Sequence, residues 1–70
     1  MRKLHFIFEA VARNLKGQQR KYSRLFYGTD SEARTAAQDY RDSLLKDGFS
    51  GVKVSIYRVD EMTYCGAIRG

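Results

Sequence analysis

The chain is predicted to adopt an α+β fold, an antiparallel sheet of three or four strands with one helix packed on one face, in the order ββαβ(β). Three observations carry this. Apolar and polar side chains alternate with period two through residues 52–59, and the same period runs through residues 4–13 and 20–27. Between them, Ala33, Ala36, Ala37, Tyr40 and Leu44 recur at helical spacing. The chain has 70 residues, 43% of them hydrophobic, and no proline, so it is read as one folded domain spanning residues 1–70.

Residues 4–13 are rich in Phe, Ile and Val on both alternating sides, the composition of a central strand. Leu4, Phe6 and Phe8 share one side, and Ile7 and Val11 lie on the other with His5 and Glu9. Asn14-Leu15-Lys16-Gly17 supplies turn chemistry, Gly17 being free to take positive φ. Residues 20–27 alternate Arg20, Tyr22, Arg24 and Phe26 against Lys21, Ser23, Leu25 and Tyr27, which reads as the partner strand of a hairpin. Thr29 followed three residues later by Glu32 has the spacing of a capping box, and Asp30 places negative charge at the positive end of the helix dipole. Arg34, Gln38, Arg41, Asp42 and Lys46 are assigned to the wet side of this helix, with Asp42 and Lys46 at i,i+4. Gly48 stands at the left-handed position that ends a helix, with Phe49 folding back toward Leu44. In residues 52–59, Val52, Val54 and Ile56 point inward and Lys53, Ser55 and Tyr57 outward. Asp60-Glu61-Met62 is a short turn. Residues 63–68 are the candidate fourth strand, weakened by Gly66.

Thirteen Lys and Arg against eight Asp and Glu give a net charge of +5. The excess is local: residues 10–29 hold Arg13, Lys16, Arg20, Lys21 and Arg24 and no acid, and the remainder balances. An acidic partner is therefore expected, either nucleic acid or an acidic protein. Cys65 is the single cysteine, so no internal disulfide forms, and no Cys and His cluster has zinc-binding spacing. Met1-Arg2-Lys3, the apolar residues after them and Ala10-Val11-Ala12 have the outline of a signal peptide. His5 and Glu9 interrupt that run, so it is read as a strand of the domain, and a cytoplasmic protein with no membrane span is expected. Enzymatic function is not expected. His5 and Cys65 are the only imidazole and thiol, with no orienting third group, and the glycines are spaced for turns, not for a phosphate-binding loop. No cofactor or metal is implied.

The candidate interface is the basic hairpin with the outward side of the third strand: Arg13, Lys16, Arg20, Lys21, Tyr22, Arg24, Lys53 and Tyr57. On the expected alternation, Arg20, Tyr22 and Arg24 share a sheet face with Lys53, Ser55 and Tyr57, setting cations for phosphates beside flat rings for bases. The function this supports is a small nonenzymatic nucleic-acid-binding module, with DNA favoured over RNA. The alternative is an inhibitor or adaptor that binds an acidic host protein, with Tyr22, Phe26, Tyr57 and Tyr64 as anchors. A free strand edge also offers a route to a homodimer or to a partner's strand.

Residues 20–45, from Arg20-Lys21-Tyr22-Ser23-Arg24 through Gly28-Thr29-Asp30-Ser31-Glu32 to Leu45, resemble the hairpin-to-helix passage of sheet-reading DNA-binding domains. These include the arm-binding domains of phage integrases and the plant ethylene-response domain. The resemblance implies that the free face of the sheet enters a DNA major groove. Here a strand, residues 52–59, follows the helix, which that pattern lacks. As a whole, the short, basic, proline-free chain is similar to the accessory proteins of prophage early regions. That similarity implies modulation of host DNA metabolism or defence by binding DNA or a host protein.

Overall fold

The computed structural model describes residues 3–61 and 63–70. Met1 and Arg2 of the basic start, and Met62 of the expected Asp60-Glu61-Met62 turn, lie outside the described residues. The elements are β1 (Leu4–Arg13), β2 (Gln19–Gly28), α1 (Asp30–Lys46), β3 (Ser50–Arg58) and β4 (Thr63–Arg69). The fourth strand therefore forms, and the order is ββαββ. The strands make one sheet in the spatial order β2-β1-β3-β4, and every neighbouring pair is antiparallel. β2 and β3 both run opposite to β1, so they are parallel to each other, and α1 crosses the sheet between them.

The helix lies mainly over β3. It covers Phe6, Phe8, Ala10 and Ala12 of β1, Val52, Val54 and Ile56 of β3, and Ile68 of β4, against its own Ala33, Ala37 and Leu44. Alanine at positions 33 and 37, both buried, lets the helix backbone approach the sheet closely. Tyr40, Ala36 and Phe49 pack at the margin of this core.

Both helix ends follow from their local residues. The Thr29 hydroxyl accepts from the Glu32 backbone N–H at 3.2 Å, and the Glu32 carboxylate accepts from the Thr29 backbone N–H at 2.9 Å. Such a cap contributes about 1 kcal/mol. The Thr29 N–H, and after it the Thr29 hydroxyl, hold the Glu32 carboxyl below its ordinary range. At the other end Gly48 (φ +93°) donates to Leu45 O and Phe49 donates to Leu44 O, both at 3.1 Å, completing a Schellman ending. A side chain at 48 would be strained by about 1–2 kcal/mol. Its Cβ would also lie 3.2 Å from Leu15 Cδ2, because the β1–β2 loop folds against this helix end. That loop is held by Asn14, whose side-chain oxygen accepts from the Lys16 and Gln18 backbone N–H groups at 2.9 and 3.0 Å.

Two arginines on the wet side of the helix reach across to β4, Arg34 exposed and Arg41 half-buried. Arg34 Nη2 donates to Cys65 O and Arg41 Nη1 to Arg69 O, each at 3.2 Å. Asp42 pairs with Arg41 at 2.9 Å. The reach has a simple cause: α1 leaves little cover over β4, and long guanidinium side chains span the gap that shorter ones could not. Replacing Arg34 and Arg41 together with alanine is expected to speed amide exchange in β4 about tenfold while β1 and β3 stay protected, since two such bonds hold the edge by about 1–2 kcal/mol. Residue-resolved hydrogen exchange checks this.

Two bulges set which way the strands face. In β3, Val11 pairs with Lys53 but Arg13 pairs with Ser50, and the extra residue falls at Gly51 (φ +58°) and Val52. In β4, Ile56 pairs with Gly66 but Tyr57 pairs with Tyr64, so Cys65 is unmatched. Its carbonyl is the one that Arg34 binds. An unbroken ladder would have paired Tyr64 with Arg58 on the helix side. The bulge turns Tyr64 to the face without a helix.

Candidate nucleic-acid interface

The face of the sheet opposite α1 can be built from the register. Cross-strand partners share a face, so His5, Ile7, Glu9 and Val11 of β1 carry with them Tyr27, Leu25, Ser23 and Lys21 of β2, and Tyr57, Ser55 and Lys53 of β3. From β4 come Tyr64, Ala67 and Arg69. Three rows result, each crossing all four strands. One is apolar and aromatic: Leu25, Ile7, Tyr57, Tyr64. The middle row is Ser23, Glu9, Ser55, Ala67. The third is Lys21, Val11, Lys53, Arg69, three cations around one valine.

The rows are physically distinct. At two residues per row the first and third are about 13 Å apart. In the apolar row Leu25 is 73% and Tyr64 54% exposed, and the Tyr57 and Tyr64 rings lie 5.5 Å apart, tilted by 57°. Beyond it, Tyr27 rests on His5 with ring centroids 4.6 Å apart. At the basic end, Arg13 stands opposite Gln19 and Ser50 on the same face, with Lys16 in the adjoining loop. Val11, Gly51, Val52, Lys53, Arg69 and Gly70 line an open hollow of about 470 Å³ there.

Net charge is uneven along the molecule, although Asp47 lies beside the β1–β2 loop and Arg58 beside the β3–β4 turn. The strands run along its long dimension, 41 Å of a 41 × 19 × 15 Å envelope. Arg13, Lys16, Arg20, Lys21, Lys53 and Arg69 gather at the end that holds the β1–β2 loop. Asp30, Glu32, Asp60 and Glu61 occupy the other end, with the helix N-terminus and the β3–β4 turn. Asp60 and Glu61 also hold Arg58, at 3.4 and 3.6 Å.

The residues expected to form one interface are divided by this geometry. Arg13, Lys21, Lys53 and Tyr57 lie on the open face, and Lys16 in the loop beside it. Arg20, Tyr22 and Arg24 do not. They pair with Ala12, Ala10 and Phe8, whose side chains are buried beneath the helix, so they emerge on the helix side. Arg24 lies over the Tyr40 ring at 4.6 Å, Tyr22 meets Phe49 edge-on at 5.9 Å, and Arg20 donates to the Gln18 side-chain oxygen. The expected grouping failed because β2 is an edge strand that the helix barely covers. Its helix-side positions need not be apolar; flexible charged and aromatic side chains there wrap the flank of α1. Phe26, on the same side and stacked on Phe8 at 5.5 Å, was the residue that disclosed the true orientation.

Arg69 and the Tyr27–His5 pair belong to the face and were not assigned to it from sequence; Tyr64 was, as an anchor for a protein partner. Arg69 follows the inward Ile68 and so points outward, a signal available from alternation alone. His5 and Cys65 are on strands separated by β3, and the Cys65 thiol donates to Thr63 O at 3.4 Å. Among the described residues no group of three His, Cys, Asp or Glu is placed to hold a metal, and no helix is long and apolar enough to cross a membrane. Comparison with protein-family models, with curated proteins and with solved structures yields no match.

Proposed function

We propose that the chain is a small nonenzymatic nucleic-acid-binding module that uses the open face of its sheet. The observation that carries this reading is the row Lys21–Lys53–Arg69, cations from three of the four strands with Val11 between Lys21 and Lys53, with Arg13 beyond it and Tyr57 and Tyr64 on the same face. Cations one and two strands apart, about 5 and 10 Å, suit a line of phosphates, and flat side chains suit bases. Arg20 and Arg24, on the other side, add to the positive field and not to the contact. Mobility-shift titration of DNA and RNA, duplex and single-stranded, at low salt tests the reading. Micromolar binding that weakens steeply as salt rises is expected, and no shift with any of the four at micromolar protein overturns it.

One observation favours a second reading. Leu25, 73% exposed beside Ile7, is an aliphatic side chain on an uncovered face, and it suits a protein partner better than a base. In that reading the apolar row, with Tyr27, docks an acidic protein and the basic row steers it. Affinity capture from a nuclease-treated lysate separates the two readings. A stoichiometric protein that stays bound, and that is lost in Leu25→Glu, supports the second.

A further inference from the structure

We infer that the preferred ligand is a single strand, laid with its sugar-phosphate backbone along Lys21, Lys53 and Arg69 and its bases turned toward Tyr57 and Tyr64; this rests on the nucleic-acid reading above. The argument is geometric. A B-form major groove is about 12 Å across, and the cationic and apolar rows are about 13 Å apart. A duplex that set one backbone on the cations would lay its other backbone on Leu25, Ile7, Tyr57 and Tyr64, a row that carries no cation. Glu9, exposed in the row between them, would face the groove and repel both backbones.

A single strand meets the same surface favourably. It has one line of charge, which the basic row matches, and its bases are free to leave the backbone and lie on rings. The face offers those rings where they are needed, since Tyr64 reaches it only through the bulge at Cys65, which brings it beside Tyr57. Groove reading uses forked donors and amides directed at base edges. The two central strands present Ile7, Val11 and Tyr57, side chains that accept stacked or apolar groups, with Glu9, Ser55 and Lys53 among them but no arginine, asparagine or glutamine at the centre of the face. Glu9 confines the anionic backbone to one end of the face, and so sets the strand's direction of lie across the sheet.

Fluorescence anisotropy with a labelled strand of about 16 nucleotides, as DNA and as RNA, each also annealed to its complement, tests the inference in one buffer. The single strand in at least one of the two chemistries is expected to bind at least tenfold more tightly than either duplex. The double variant Tyr57→Leu, Tyr64→Leu should lose about thirtyfold or more of that affinity with its salt dependence unchanged. Tyr57→Phe, Tyr64→Phe keeps the rings and should bind as the parent chain does. The chain has no tryptophan, so quenching of tyrosine fluorescence on binding gives a second readout that needs no variant. Equal or tighter duplex binding overturns the inference and leaves the nucleic-acid reading standing, as does a leucine variant that binds normally. Failure of the folded parent chain to bind any of the four polymers overturns both.

Discussion

The triple variant Lys21→Gln, Lys53→Gln, Arg69→Gln is expected to bind a single strand about a hundredfold more weakly than the parent chain in about 0.1 M salt. The figure follows from counterion release. Each phosphate neutralised on a single strand contributes about −0.7 to the slope of log K against log salt. Three contacts therefore carry about two decades of affinity at that concentration, and their loss should flatten the slope by about two. All three side chains lie on a face that makes no core contact, so the fold should be unaffected. By contrast, Arg20→Gln with Arg24→Gln removes two charges, against three, from the other side of β2 and is expected to weaken binding severalfold at most, through the field alone. Titration of both variants across salt concentrations measures the two slopes. Equal losses in the two variants would mean that charge and not the row matters, and the open face would no longer be the site.

Phe8→Ala is expected to remove about half of the chain's stability or more. Phe8 is 1% exposed on a central strand, paired across to Ile56 and stacked on Phe26 at 5.5 Å with ring planes 18° apart. Truncating a buried phenylalanine costs about 3–5 kcal/mol, because the lost burial is joined by a cavity that neighbouring atoms cannot fill. A domain of this length has in total about 4–10 kcal/mol of stability. Ala10, the next core residue along the same side of β1, has no reach with which to collapse into the gap. Urea unfolding followed by circular dichroism reads the effect, with Leu25→Ala as the exposed apolar control, expected within about 0.5 kcal/mol of the parent chain. A Phe8→Ala protein whose stability lies within about 1 kcal/mol of the parent would place the core elsewhere.

The contrast between those residues explains what could be read from the chain alone. The helix was legible because both of its ends are chemical devices with fixed spacing, Thr29 with Glu32 and Gly48 with Phe49, and because its buried stripe is made of apolar residues. β1 and β3 were legible for the related reason that a covered central strand must alternate. β2 alternates too, yet its pattern does not say which side is covered, since Arg20, Tyr22 and Arg24 tolerate the helix flank as well as water. The interface was misassigned at that strand. β4 hid its part differently. Cys65 adds one residue to the ladder, and a parity argument carried through it sends Tyr64 to the wrong side. Periodicity reports facing only while the count of residues between partners is undisturbed, and a bulge is a change in that count.

The uneven net charge along the 41 Å axis bears on how a partner is met. Asp30, Glu32, Asp60 and Glu61 at one end and Arg13, Lys21, Lys53 and Arg69 at the other give the molecule a permanent electric moment that lies along its strands. In the field of a polyanion such a body turns before it touches, so that the end with the β1–β2 loop leads. Orientation is then selected during diffusion, and fewer collisions are wasted on the acidic end. Salt, by screening over about 10 Å at 0.1 M, shortens the distance over which this turning begins. The encounter rate of this small protein should thus fall with ionic strength along with the lifetime of the complex.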